Sequence, residues 1–187
     1  MKLAHAYDPL LHRHSLHVGR VVEAFTAFLG CSPQDQTWIV EASLLHDLGK
    51  ICIAPSLINK PADLSAKEIE NMRRHPEIGH AMLGAEIQDV RILDVVLHHH
   101  ERLDGYGYPE RMIGRELSDA VRVVAICDIY AAMTEFRPYG TPLSAQEALQ
   151  RMQNMARRLD PELVDVFAKS EAWKTLRSIN EGELHIF

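Results

Sequence analysis

Residues 121–133 have the sequence VRVVAICDIYAAM, an apolar run with one carboxylate, Asp128, near its middle. Ser118 or Asp119 can cap a helix that continues through Met133, and most positions of that helix are apolar. A carboxylate buried in such surroundings without a partner costs several kcal/mol. We therefore expect a buried helix whose Asp128 is held by a cation or by hydrogen-bond donors.

The rest of the chain also has helical patterns. Most segments begin with a capping residue or with proline at the first helical position, at Asp8-Pro9, Ser32-Pro33, Ser65, Ser144 and Asp160-Pro161. Alternating β patterns are essentially absent, and residues 48–64 are expected to form an ordered loop because they contain Gly49, Pro55 and Pro61. The patterns predict an all-α fold, a single compact bundle of roughly eight helices.

The composition favours one domain over residues 1–187, with 47% hydrophobic residues and a net charge of −6. No basic stripe is present, which argues against binding long nucleic acid but leaves a small phosphorylated ligand open. Cys31, Cys52 and Cys127 form no CxxC pair, which favours a reducing compartment. No signal peptide or membrane span is evident, so a cytoplasmic location is expected.

Imidazoles and carboxylates recur on five different predicted helices, at His14, His46, Asp47, His75, His99, His100 and Asp128. A lone His-Asp pair at the end of a helix is more often explained by the helix dipole. The whole set, however, is more ligand than one metal needs, and divided between two metals it leaves positions for water and substrate. Nitrogen- and oxygen-rich ligation favours Fe, Mn, Co, Ni or Zn over Mg or Ca.

A glycine- and tyrosine-rich loop follows the histidines in LHHHERLDGYGYPE, residues 97–110. Gly105 and Gly107 can adopt positive φ and let the backbone approach a ligand closely. Tyr106 or Tyr108 can stack on a base or donate a hydroxyl hydrogen bond. The alternative is a surface turn packed by tyrosines.

Taken together, these motifs resemble the HD-GYP domain, a bacterial branch of the HD phosphohydrolase superfamily. The resemblance covers about residues 10–170 and leaves a C-terminal helix and tail at 171–187. Its motifs are His14-Ser15, LLHDLGK (44–50), INKP (58–61), HPEIG (75–79), HHERLDGYGYP (99–109), RVVAICDIYAAMT (122–134), RPY (137–139) and DPELVDVF (160–167). The resemblance implies an all-helical bundle and metal-dependent hydrolysis of cyclic di-GMP to pGpG or GMP.

Carried over by position, the resemblance implies a binuclear centre with the ligands His14, His46, Asp47, His75, His99, His100 and Asp128. Asp47 would bridge the metals, and a hydroxide activated between them would attack phosphorus. Iron is the expected metal, with manganese and nickel as alternatives. Asp47 and Lys50 would be catalytic, and Lys50 would also meet a phosphate oxygen. The other implied substrate contacts are Gly105, Tyr106, Gly107, Tyr108, Pro109 and Arg137, the last with a surface ion pair as its alternative.

Some positions depart from the family pattern. Leu10 stands where some members have a Glu that helps hold a third metal, so we expect a two-metal site. Ala131 replaces a usual Asp, and Gly140 replaces the usual basic residue after RPY. These changes remove no ligand, and they concern substrate affinity and the groups that surround the ligands.

Three functions stay open at this point. The first is an active phosphodiesterase for a cyclic dinucleotide. The second, favoured by Ala131 and Gly140, is a cyclic-dinucleotide sensor or a docking module for signalling proteins with weak or no catalysis. The third is a phosphohydrolase for another nucleotide, including a mixed cyclic dinucleotide. The chain has no room for a sensory or receiver domain, so we expect either an excised domain or a stand-alone protein that receives its signal through a partner. A homodimer is compatible but not required.

Overall fold

The computed structural model describes residues 6–135 and 141–175. Its α-helices are α1 (Pro9–Phe28), α2 (Pro33–Leu45), α3 (Pro55–Ile58), α4 (Ala66–Met72), α5 (His75–Leu83), α6 (Val90–His98), α7 (Asp119–Thr134), α8 (Ala145–Gln153) and α9 (Pro161–Ser170). Short 3₁₀ segments lie at Leu48–Cys52, at Gly114–Glu116 and at residues 172–175. The part of the chain described here contains no β-strand, only an isolated bridge between Asp104 and Ile113. The predicted all-α fold is therefore confirmed.

The predicted caps begin the helices as expected. The Asp8 carboxylate accepts from the amides of Leu10 and Leu11 at the start of α1, and the Ser118 hydroxyl accepts from the Val121 amide in α7. Capping boxes form at the starts of α4 and α8. Residues 48–64 differ from the predicted loop, because they contain a 3₁₀ turn and the one-turn helix α3. Proline at a first helical position fits such a turn, since its missing N–H has no partner there in any case.

The buried helix predicted around Asp128 is α7, which packs against α1, α6 and α8. Val121, Val124 and Ile126 are fully buried along it. The Phe167 ring of α9 lies 5.0 Å from Phe25 and 5.3 Å from Tyr130, measured between ring centroids. These contacts tie α1, α7 and α9 into one apolar core. Among the helices described, none has the length and apolar character needed to cross a membrane.

Two glycines bring the Leu48–Cys52 turn against the first turns of α5. A Cβ added to Gly49 would lie 2.0 Å from the His75 carbonyl oxygen and 2.6 Å from the Gly79 amide nitrogen. A Cβ added to Gly79 would lie 3.2 Å from the Gly49 amide nitrogen. The backbones can approach this closely only because neither position carries a side chain. The contact holds the segment that carries Asp47 beside His75.

We expect Gly49→Ala to lower the free energy of unfolding by about 1–3 kcal/mol, because the added methyl group meets backbone atoms that cannot rotate away. Urea denaturation at equilibrium measures this change. Gly84→Ala is the control, since the only neighbour within 4 Å of its added Cβ is the His80 carbonyl oxygen at 3.1 Å. Equal stability of the two variants would contradict the proposed close contact.

Candidate metal centre

The Asp47 carboxylate lies between α2 and the following 3₁₀ turn and is only 1% exposed. Its Oδ1 is 3.1 Å from His75 Nε2 and 3.7 Å from His99 Nε2. Its Oδ2 is 3.4 Å from His46 Nε2 and accepts a hydrogen bond from Lys50 Nζ at 2.6 Å. The two oxygens of one carboxylate therefore face different sets of imidazoles.

The predicted metal ligands form two groups that share Asp47. Ligand atoms lie within 4.8 Å of one another in each group, Asp47, His75, His99 and His100 in the first and His14, His46 and Asp47 in the second. Asp128 extends the second group, because its Oδ1 is 2.9 Å from His14 Nε2 and 3.9 Å from His46 Nε2. The structure thus brings together every metal ligand predicted from the sequence.

Three of these histidines are oriented by their own local backbone. Each lies within hydrogen-bond distance, through Nδ1, of the carbonyl oxygen three residues earlier, at 2.6 Å for His46 and Ser43, 2.8 Å for His75 and Met72, and 3.0 Å for His99 and Val96. A carbonyl oxygen only accepts, so Nδ1 is the nitrogen that donates. In the neutral ring Nε2 then carries a lone pair, which is the form that binds a metal.

The donor set fits a metal because lone pairs converge where hydrogen bonds are missing. His75 Nε2 and His99 Nε2 are 3.3 Å apart, and Asp47 Oδ1 faces both of them. In the described structure Asp47 Oδ1 and His46 Nε2 are buried without a hydrogen-bond partner. Buried acceptors that face one another need a cation between them, since burial of an unpaired polar atom is costly.

The electrostatics of the first group favour its metal-binding protonation states. Burial lowers the pKa of His99 to about 4 despite the neighbouring Asp47, and burial together with His99 lowers the pKa of His100. Burial alone would raise the pKa of Asp47, but Lys50 and His46 hold it well below its usual range. At neutral pH His99 and His100 are therefore neutral imidazoles and Asp47 is an anionic carboxylate, the forms that ligate metals.

His14 differs from the other ligands because both of its ring nitrogens face carboxylates. Its Nε2 is 2.9 Å from Asp128 Oδ1 and its Nδ1 is 2.9 Å from Glu135 Oε2. Burial lowers the pKa of His14, but the hydrogen bonds with these carboxylates outweigh it and raise the pKa to about 9. Sequence reasoning missed Glu135. Its spacing of seven residues from Asp128, close to two helical turns, was the available signal.

The two tyrosines of the glycine loop lie in different surroundings. The Tyr108 ring centroid is 4.8 Å from that of His100 and 6.5 Å from that of His75. Tyr106 is 79% exposed, with the Arg102 guanidinium 6.0 Å from its ring centroid. Of these two tyrosines, only Tyr108 therefore lies beside the predicted metal ligands. Arg137, which was also predicted to contact the substrate, lies outside the described residues.

The glycine loop is tied to the metal ligands by Glu101, directly after His100. Its carboxylate accepts from the amides of Glu110, Arg111 and Met112 at 2.6, 2.8 and 3.1 Å. A Cβ added to Gly107 would lie 2.4 Å from Glu101 Cα. The close approach of the Glu101 backbone is thus sufficient reason for a glycine at position 107. The predicted contact of Gly107 with substrate stays a prediction. Gly105, with φ of +74°, has the positive φ that was expected, whereas the same expectation for Gly107 is wrong, because Gly107 is not among the glycines with positive φ.

His98, the first of the three consecutive histidines, is not part of either ligand group. Its Nδ1 is 2.7 Å from Asp94 Oδ1, and its Nε2 is 3.3 Å from Glu110 Oε2. Asp94 also accepts a hydrogen bond from the Ser118 hydroxyl at 2.7 Å. His98 therefore connects α6 with the end of the glycine loop and the start of α7.

The sequence profile of the HD domain family matches residues 1–163. The cyclic di-GMP phosphodiesterase PA4108 of Pseudomonas aeruginosa is 40% identical over 130 residues, which are 69% of this chain and 31% of that protein. A cyclic di-GMP phosphodiesterase of Thermotoga maritima is 35% identical over 167 residues, 88% of this chain and 45% of that protein. The chain therefore spans less than half the length of either relative.

Among solved structures, the chain is similar to Bd1817, an HDG"Y"P protein from Bdellovibrio bacteriovorus. The TM-score is 0.71 at 15% identity, over 85% of this chain and 51% of that one. At this identity the likeness shows the fold alone. From the profile match, the chain belongs to the HD domain family. The names of its relatives agree with the HD-GYP resemblance found in its motifs.

We expect Glu101→Gln to loosen the glycine loop, because a carboxamide cannot replace a carboxylate that accepts from three amides. Loss of hydrogen bonds to a charged group costs about 1.5–3 kcal/mol, which corresponds to roughly tenfold or greater acceleration of hydrogen exchange. Exchange mass spectrometry of peptides covering residues 104–113 measures it. Glu77→Gln, at an exposed position of α5, is the control. Unchanged exchange in Glu101→Gln would show that this carboxylate does not hold the loop.

Proposed function

We propose that this chain is the phosphodiesterase domain of a metal-dependent enzyme that hydrolyses cyclic di-GMP, to pGpG or on to GMP. The observation that carries the proposal is the Asp47 carboxylate, whose oxygens are shared between two groups of converging ligands. The named activities of the relatives support the choice of substrate. A cytoplasmic location, which the unpaired cysteines favour, and a signalling-protein partner are part of the same proposal.

The residues divide between two metal positions. His75, His99 and His100 would hold one metal and His14, His46 and Asp128 the other, with Asp47 common to both. Iron is proposed first, with manganese and nickel as alternatives, since the donors are imidazole nitrogen and carboxylate oxygen. Two such metals would supply an activated hydroxide and neutralise charge on the phosphoryl group.

Lys50 is the proposed cationic contact for a phosphate oxygen. Its side chain is 22% exposed while its ammonium group hydrogen-bonds to Asp47, so it links the ligand shell to the solvent side. A compact ammonium group suits such a point contact. Together with Asp47 it forms the proposed catalytic pair.

The glycine loop would form the other side of the substrate site. Burial raises the pKa of Tyr108, so its hydroxyl stays protonated and able to donate a hydrogen bond beside His100. Tyr106 has an exposed ring on which a base can stack. Gly105, Gly107 and Pro109 would shape this wall, and Arg137 would add a second phosphate contact.

The test is to reconstitute metal-free protein anaerobically with Fe²⁺, Mn²⁺ or Ni²⁺ and measure bound metal per chain and hydrolysis of cyclic di-GMP. We expect about two metals per chain and turnover in the wild type. Asp47→Ala should lose metal and reduce turnover by about a thousandfold or more, because both positions lose a ligand. Asp160→Ala is the control, since this carboxylate caps α9 and pairs with Arg122.

Two results would change the assignment. In the first, the protein holds its metals and binds cyclic di-GMP but hydrolyses no cyclic dinucleotide with any of the three metals. This result would contradict the enzyme assignment and favour a sensor. Faster hydrolysis of a mixed cyclic dinucleotide than of cyclic di-GMP would retain the reaction and change the substrate.

A further inference from the structure

Glu135, the C-cap residue directly after α7, is a buried carboxylate outside the proposed ligand set. It is 7% exposed. Its Oε2 is 2.9 Å from His14 Nδ1, and its Oε1 accepts a hydrogen bond from Arg13 Nε at 3.1 Å. The same Oε1 is 3.6 Å from His17 Nδ1. This one carboxylate therefore lies close to three side chains of α1, those of Arg13, His14 and His17.

The position of His14 in its helix explains why it needs such a partner. Ser43, Met72 and Val96, whose carbonyls orient the other histidines, lie in the last turns of α2, α4 and α6. Carbonyls at the end of a helix have no amide partner within the helix and are free to accept from a side chain. His14 lies inside α1, where the carbonyls are used by the helix itself. An acceptor for its Nδ1 must therefore come from another helix.

We propose that Glu135 is a positioning residue that orients His14 for the metal centre. By accepting the Nδ1 hydrogen it directs Nε2 toward Asp128 Oδ1, 2.9 Å away, and Asp47 Oδ2, 3.9 Å away. This role rests on the proposed binuclear centre. Glu135 thus orients His14 through a side chain distant in sequence, whereas His46, His75 and His99 are oriented by nearby backbone carbonyls.

A carboxylate suits this position better than a carboxamide of the same size. Both Glu135 oxygens accept, so they take hydrogens from His14 and Arg13 at the same time. A glutamine has one acceptor oxygen and an amide group that donates. In Glu135→Gln, either His14 or Arg13 would face a donor. The variant therefore keeps the volume of the buried side chain but cannot accept from His14 and Arg13 at the same time.

The test titrates the metal-free full chain with Co²⁺, whose visible absorption reports its coordination. We expect two Co²⁺ to bind the wild type. In Glu135→Gln we expect the dissociation constant of one Co²⁺ to rise about 10- to 100-fold, as for other carboxylates that orient ligating histidines, with the other changed by less than about twofold. Glu147→Gln is the matched control, because Glu147 belongs to the capping box of α8.

Three outcomes would overturn the assignment. Wild-type Co²⁺ affinities in Glu135→Gln would remove the positioning role while leaving the binuclear centre intact. Equal weakening of both Co²⁺ sites would show a general structural role. Fewer than two Co²⁺ bound to the wild type would reject the binuclear centre itself, and the role of Glu135 with it.

A measurement on the wild type keeps the test independent of the variant's folding. In protein labelled with ¹⁵N-histidine and loaded with Zn²⁺, the His14 Nδ1–H signal should persist and exchange slowly, because this hydrogen is buried against Glu135. Coordination of Zn²⁺ through Nδ1 of His14 would contradict the proposal.

Discussion

The arrangement of the candidate metal centre depends on one buried negative charge, the Asp47 carboxylate. Asp47 is almost completely removed from water, and desolvating a carboxylate is tolerable only when cations and donors surround it. Lys50 satisfies one oxygen, but imidazole nitrogens that carry lone pairs face the other. The fold therefore places imidazole nitrogens that accept hydrogen bonds around an anionic carboxylate. Such an arrangement is stable only when a cation lies among these groups. The glycine contact between the Leu48–Cys52 turn and α5 keeps these groups at close range.

Helix positions could be predicted from local patterns in the sequence, and the family resemblance named the residues that the structure brings together around Asp47. Capping residues identify helix starts within a few positions, and a carboxylate such as Asp128 in an apolar run demands a partner wherever it lies. Residues 48–64 were less predictable. Their prolines and glycine are typical of loops, but the same residues also allow single helical turns, and for the Leu48–Cys52 turn packing against α5 selects the outcome.

The surroundings of the ligands could not be predicted, because they depend on contacts between distant segments. Glu101 holds the glycine loop through three amides. No pattern in the sequence indicates that Tyr108, and not Tyr106, lies beside the histidines. Ala131, where the family usually has an acidic residue, is completely buried. Four residues further along the chain, directly after α7, Glu135 provides a carboxylate to His14. The chain thus lacks the usual acidic residue at position 131 but has an acidic residue at position 135. A comparison limited to the family motifs does not reveal this second carboxylate.

The two halves of the centre differ in how much of the chain each requires. Around His75 and His99, the ligands and the carbonyls that orient them all lie between residues 43 and 100. His14, in contrast, meets Asp128 and Glu135 across 114 and 121 residues of sequence. Contacts of such separation form late, since a long loop must close first. On a ribosome, which delivers the N-terminal part first, the His75 half has all its parts before α7 exists, and the His14 half is the last to be completed.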